Sequence, residues 1–507
     1  QDILAQGKPA MWCLLPFLCF IVRVQSEEES TCRAGAACGE EEPSPYFWPT
    51  AFGHVSHYGV APWPSPTNLS ATLSWSWHHP DGRFRELPIG VVIDDKKNLY
   101  VSADQHSYKF SPDGAVLWTY KNPPGGTPDG PSIMDGSFFA DSTEGFVFAL
   151  DMETGVQRWI SKVDDRICGD TGFVSAHQGV VVVATGSRRA ANGDVGCGVV
   201  RGLNASDGSA LWALEPENAL WDFMAQFPDD GSVVFQDCSG VIHRAGLTDG
   251  SLIWKGGGVP GSWTDGTQFL GPNGIVYQTN NDPATLGAYR LSDGKFLWKQ
   301  SVPKAPNTSP VVGRLQKDGR LSVVMPIGQQ TPHGGVPPAM LLFHYLPFLQ
   351  RAPSFLQVAI FLPIHYFSIW LGDYQHHLWR NEPRLHEVWV FDAETGDLQW
   401  RWEGPVQYRM NANGDEEAFL DRSRRGVRTA CWPTPWSAAR IGSDGTIYVG
   451  NENGHFFAIR DSNGDDRIDA GEVSSFDTGT NFPSCGSAHA PGMIAAANCD
   501  SVYVWKS

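Results

Sequence analysis

Most of the chain is broken into short pieces. Apolar runs of strand length, such as F-V-F-A-L-D at Phe146–Asp151, V-W-V-F-D at Val388–Asp392 and T-I-Y-V-G at Thr446–Gly450, are separated by breaks rich in Gly, Pro and Asp. Runs of this length and composition, bounded by turn residues, predict strands. Few stretches carry a helical period of apolar positions.

The pattern also repeats. Six segments share one motif: S-P-D-G-A-V-L-W ending at Trp118, E-T-G-V-Q-R-W at Trp159, S-D-G-S-A-L-W at Trp212, T-D-G-S-L-I-W at Trp254, S-D-G-K-F-L-W at Trp298 and E-T-G-D-L-Q-W at Trp400. In each the Gly stands four residues before the Trp. Successive Trp spacings are 41, 53, 42 and 44, then 102 from Trp298 to Trp400. Asp-Gly and Thr-Gly supply the positive φ of a tight hairpin turn. A strand precedes each turn, a Trp-bearing strand follows it, and two more lie upstream, as at Gly90–Asp94 and Asn98–Ala103. Four strands in ~40 residues make a propeller blade. One Trp at one fixed place per blade is expected to pack blades together rather than to stack a ligand.

The predicted fold is therefore all-β: an eight-bladed β-propeller of four-stranded antiparallel blades over 71–507. Blade seven runs through Ser437–Ile441, Thr446–Gly450 and His455–Arg460 to a fourth strand near Glu472–Phe476, with Phe476 in the Trp place. Ser487–Trp505 holds only three strands. Ala71–His78, with Trp77 41 residues before Trp118, is expected to add the fourth, so that an N-terminal strand joins the C-terminal blade and no edge is left open.

The segments A-L-D-M-E-T-G-V-Q-R-W and F-D-A-E-T-G-D-L-Q-W resemble the repeat of the pyrroloquinoline quinone (PQQ)-type β-propellers, the quinoprotein alcohol dehydrogenase-like group. The resemblance covers Ala71 to Trp505. It implies the fold and leaves two functions open. Quinoprotein dehydrogenases of this group oxidise alcohols or sugars. They carry an adjacent Cys-Cys disulfide, a catalytic Asp, and a calcium held by Glu and Asn at the propeller centre. A relative that serves as a bacterial outer-membrane assembly scaffold holds protein segments instead. This chain has no Cys-Cys pair, and no segment matches those ligands residue by residue. PQQ and catalysis are therefore not expected. The expected function is that of a scaffold binding a protein or glycan, with a quinoprotein-like oxidoreductase as the alternative.

Propeller topology assigns the long connections. Gly186–Gly196 in blade three, Gly328–Glu387 in blade six and Pro405–Pro435 between blades six and seven all map to one face, the expected binding face. Within the blade-six insertion, Met340–Leu371 is strongly apolar. Both of its ends return to the same blade, and Pro353, Gln357, Pro363 and His365 interrupt it. It is read as a flap that packs on the face or touches a membrane surface, not as a spanning helix.

The net charge of −18 excludes a basic nucleic-acid footprint. Residues 1–26 are expected to comprise an extension and, from Met11, a signal peptide with the apolar run Trp12–Val22. Residues 27–70 form a Cys/Pro-rich leader. Asn68, Asn204 and Asn307 open Asn-x-Ser sequons. Of ten cysteines, eight remain beyond the signal. The expected pairs are Cys485–Cys499, Cys168–Cys197 and Cys32–Cys38. Secretion, or residence in an extracytoplasmic or endomembrane lumen, follows from these features together.

One stretch carries metal chemistry. D-S-N-G-D-D-R-I-D-A-G-E, Asp461 to Glu472, places Asp461, Asn463, Asp465, Arg467 (through its carbonyl), Asp469 and Glu472 at the six ligand positions of an EF-type calcium loop. The sixth position is Asp466 where Gly is usual. The loop falls in the third turn of blade seven, so it is expected to be flanked by strands and to hold structural calcium. A second acidic loop, Asn411–Glu417, has Arg422 where the last ligand should stand. His78-His79, His365 and His376-His377 show no metal-ligand spacing and are read as surface or packing residues.

Overall fold

The computed structural model describes residues 44–507, apart from positions 84, 260 and 307, the stretches 168–171, 191–194 and 317–318, and most of 330–383 and 408–433. Eight antiparallel sheets follow one another along the chain. Blade one is Pro88–Ile93, Leu99–Ala103, His106–Phe110 and Val116–Lys121, in that spatial order. Blades two, three, five, six and seven repeat this order. In blade four the inner strand shrinks to a single bridge, Gln226 opposite Val234. The final sheet orders Ser487–Ala490, Met493–Ala497 and Val502–Lys506 outward to Leu73–Trp77, which pairs with Val502–Lys506. An additional hairpin, Arg188–Arg189 with Val195–Gly196, grows from the long loop of blade three.

The Gly–Trp motif works between blades, not within one. The indole N–H of Trp118 donates to the carbonyl of Met152 in blade two at 3.0 Å. Trp159, Trp212, Trp254 and Trp298 donate in the same way to Ala205, Leu247, Leu291 and Ala393 of the following blade. The turn Gly of that following blade lies under the indole. A Cβ at Gly155 would come within 2.8 Å of Trp118, and one at Gly208 within 2.5 Å of Trp159. Gly is therefore required twice over, for its positive φ and for the close approach of the ring. Trp400 is likewise buried.

Two assignments within this pattern need correction. The repeat Trp of blade eight is Trp75, not Trp77: its Nε1 donates to Pro112 at 2.8 Å and its ring covers Gly114. Both residues lie on the same side of one strand, and spacing could not separate two positions of equal phase. In blade seven the Trp place is held by Ser474. Ser474 pairs with Ala458 as Trp159 pairs with Ala149. Phe476 lies two residues further and packs on Tyr503 and Trp505. The missing indole is replaced by the short helix Leu69–Thr72, whose Leu69 is fully buried and donates its N–H to Ser474 Oγ at 3.0 Å.

The segment before the first blade strand fills the axis. Trp48 exchanges two backbone hydrogen bonds with Ile93 of blade one. Phe52, four residues later, stacks edge-on against Phe269 of blade five, across the ring, at 5.6 Å. Tyr58 donates to the Phe227 carbonyl and accepts the Phe227 N–H, at 3.0 and 2.8 Å. Val60 pairs in parallel with Ile441 of blade seven. Buried Arg440 clamps the arrangement by donating to the carbonyls of Ala51 and Cys485, each at 2.8 Å. Part of the 27–70 leader is thus a plug across the central channel.

Candidate functional site

The acidic loop stands where the fold reading put it, between the strands His455–Ile459 and Val473–Asp477. Asp466 adopts φ 60°, the left-handed conformation that the sixth position of such a loop requires. The Asp461 carboxylate accepts the N–H groups of Gly464, Asp465 and Asp466 at 2.7–3.3 Å and so folds the first half. Asn463 accepts the Asp465 N–H, and Asp465 accepts the Arg467 N–H, at 2.9 and 3.0 Å. Glu472 closes the second half by accepting from Ser462 N, Ser462 Oγ, Asn463 N and Asp469 N. The Ser462 hydroxyl first, then these amides, hold the Glu472 carboxyl down to about 2. Glu472 is thus turned onto the loop's own amides. Asp461, Asp465, Asp469 and Glu472 do not bring three carboxylates within 4.8 Å of one another. Gln316 Nε2 of blade six donates to the Asp461 carbonyl at 2.8 Å and ties the loop to its neighbour.

The second acidic loop is built around an ion pair. Asp415 and Arg422 are both buried, 3.3 Å apart, and Asp415 also accepts the Cys431 N–H. Cys431 forms a disulfide with Cys499. This corrects the expected Cys485–Cys499 pair. The connection between blades six and seven reaches over blade eight, so the bond crosses blades instead of bracketing two strands of one. Cys485 is buried and lends its carbonyl to Arg440. Cys197 is disulfide-bonded, while Cys168, Cys32 and Cys38 lie outside the described residues. Asn68 is exposed and caps the Leu69–Thr72 helix, accepting the Ala71 N–H at 3.2 Å. Asn204 is half-buried and accepts from Ser206, and Asn307 lies outside the described residues. Most of the 328–387 insertion is also outside them. Of its described part, Phe348 and Phe355 are exposed at 65% and 74%.

A cavity of about 940 Å³ opens on the face opposite the long loops. Plug residues Val55, His57 and Tyr58 line it, together with the inner turns of blades five, six and seven. In blade two a second feature is chemical: Asp141 is fully buried, and burial and then neighbouring Asp129 raise its carboxyl well above the usual range. Among the described residues, no helix is long and apolar enough to cross a membrane.

Comparison with known proteins agrees with this architecture. Residues 103–257 match the family model described as outer membrane protein assembly factor BamB. The fold is that of the PQQ-like β-propellers. The crystal structure of BamB from Moraxella catarrhalis superposes with a TM-score of 0.53 at 15% identity, covering 86% of this chain and 97% of that one. Quinohemoprotein alcohol dehydrogenase ADHIIG from Pseudomonas putida HK5 gives 0.59 at 11%, covering 91% and 80%. Among curated relatives, tetrathionate hydrolase of Acidithiobacillus ferrooxidans is 25% identical over 283 residues, 52% of each chain. BamB of Yersinia pestis is 23% identical over 197 residues, 36% of this chain and 45% of that one. The chain thus spans about half the length of the curated relatives it matches. Neighbours with and without a redox cofactor in their names share this fold, so the fold itself decides no activity.

Proposed function

We propose that the protein is a non-catalytic propeller scaffold of an extracytoplasmic compartment, binding a protein or glycan partner on its long-loop face. The observation that carries this reading is the plugged axis. The ring already grips an extended segment of its own chain by strand pairing at Trp48–Ile93 and Val60–Ile441. The resemblance places a quinone site at the propeller centre, and here that centre is filled by side chains of the plug. The match to an assembly factor and the disulfide Cys431–Cys499 support the same reading. The apolar insertion then serves partner or membrane-surface contact. Calcium in the Asp461–Glu472 loop is structural, with Glu472 released from Ser462 when the ion enters.

The test has two arms. Purified protein is mixed with PQQ and calcium and assayed for dye reduction with alcohols and aldose sugars; turnover would sink the scaffold reading. In parallel, cross-linked partners are compared between the full chain and a variant lacking 328–387, and loss of the same partner in the variant is the expected result.

A further inference from the structure

The connection that enters blade one carries a cluster that the chemistry above does not use. It leaves the outer strand of blade eight after Trp77 and reaches the inner strand of blade one at Pro88. His79 lies near its start and Glu86 near its end. His106 opens the third strand of blade one, on the same face. These three side chains place one ligand atom each within 4.8 Å of one another, and among the described residues no other set of three His, Cys, Asp or Glu does so.

Three properties distinguish the cluster from a surface accident. Glu86 is buried, its side chain 1% exposed, although it carries a carboxylate. One oxygen contacts His106 Nδ1, the Tyr108 hydroxyl and the Gln105 backbone also act on the carboxylate, and the other oxygen, Oε2, is buried and makes no hydrogen bond of good geometry. A buried, half-satisfied carboxylate is costly and calls for a cation beside it. Next, the His79 ring is preset, since its Nδ1 accepts the Asp81 N–H at 3.1 Å. This bond fixes the ring's orientation, and because Nδ1 accepts it, an ion at Nε2 requires the ring proton to move from Nε2 to Nδ1 and the Asp81 amide to be released. Finally, the exposure is one-sided. Glu86 forms the floor, while His79 and His106 are half-buried and open to solvent, which leaves an entry path and room for a further ligand. Asp104 lies close enough to act on Glu86 and adds negative charge.

We propose that His79, Glu86 and His106 form a binding site for a divalent transition-metal ion of the zinc type. Two imidazole nitrogens and one carboxylate oxygen suit such an ion. Calcium and magnesium prefer all-oxygen shells, so this site and the Asp461–Glu472 loop differ in kind. Three protein ligands leave the fourth position to water or to a partner's side chain. The site lies on the long-loop face, where an ion held this way can clamp a partner as well as the inter-blade connection.

The experiment uses the full chain, stripped with chelator, incubated with zinc and desalted, with retained metal measured by mass spectrometry. Wild type is expected to hold one zinc more per chain than His79→Ala or Glu86→Gln, and to bind at least tenfold more tightly by calorimetry. Because Glu86→Gln can disturb the buried floor, the half-buried His79→Ala carries the decision, with circular dichroism to show that it folds. Cobalt substitution adds a direct readout: visible d–d bands in wild type that are absent from His79→Ala. Asp461→Ala plus Glu472→Ala should leave zinc uptake unchanged. Equal zinc retention in wild type and folded His79→Ala, or none in either, overturns the assignment. So does zinc that is lost only on replacing His376 and His377.

Discussion

His489 is a point at which acid should loosen the plug. It lies in the inner strand of blade eight with no exposed surface. Its Nε2 meets Ser487 Oγ at 2.9 Å and its Nδ1 meets Ser65 Oγ at 3.2 Å. Its ring sits against Trp48 of the plug at 5.3 Å and against Tyr448 at 5.1 Å. Burial, and then the charge of Arg440, push its pKa from 6.5 down to about 3. The folded protein therefore keeps the ring neutral while the unfolded chain takes up a proton below about 6.5. The stability from this group is complete above that pH and is lost progressively as the pH falls toward about 3. Each pH unit in that window is worth ~1.4 kcal/mol, so acidification to pH 4.5 should remove about 2–3 kcal/mol through this residue alone. The assay is urea unfolding followed by tryptophan fluorescence at pH 7.5 and 4.5, for wild type and His489→Gln. His54 and His57, lowered in the same direction by burial, are common to both proteins and cancel. Wild type should lose about 2–3 kcal/mol more than the variant on acidification. Acid losses that agree within about 0.5 kcal/mol would refute the reasoning.

Three other outcomes follow from the fold. Gly294→Ala should cost about 2–4 kcal/mol, because its φ is +69° and a Cβ would stand 2.7 Å from Trp254. Gly274→Ala, at φ +70° with nothing within 4 Å, should cost only about 1 kcal/mol, and equal losses in urea unfolding would deny the inter-blade contact. Cys431→Ser should lower stability by about 4 kcal/mol in the chain-entropy account, given a sequence separation of 68. Non-reducing peptide mapping should recover Cys431 joined to Cys499, and a Cys485–Cys499 peptide would contradict this. Calcium should raise the melting temperature of wild type and leave Asp461→Ala plus Glu472→Ala unmoved, whereas an equal shift in both would remove the loop from consideration.

What could be read from the chain divides by range. A turn Gly and the Trp four residues beyond it belong to one hairpin, so local patterning carries them, and repetition carries the blade. The position of the acidic loop between two strands and the positive φ of Asp466 were legible for the same reason, since a twelve-residue spacing is local. The misplaced Trp77 and Phe476 show the limit of spacing: two residues along a strand preserve the side-chain phase, and only the partner blade selects between them. Long-range contacts left no such trace. Tyr58 meets Phe227 and Arg422 meets the Cys499 carbonyl, across 169 and 77 residues, with nothing periodic to announce either.

The same division explains why the two candidate metal sites differed in legibility. The Asp461–Glu472 ligands lie within one twelve-residue loop, whereas His79, Glu86 and His106 come from a connection and from the third strand of the blade that it enters. His79 read as a packing residue because its partners lie 7 and 27 positions away in no known spacing. Ring closure separately joins the two ends of the chain, pairing Leu73–Trp77 with Val502–Lys506. The junction of blades eight and one accordingly holds both the plug's entry at Trp48 and the His79–Glu86–His106 cluster. Perturbing the seam at His489 or at His79 should therefore report on plug and metal site separately, since His489 faces the axis and His79 faces solvent.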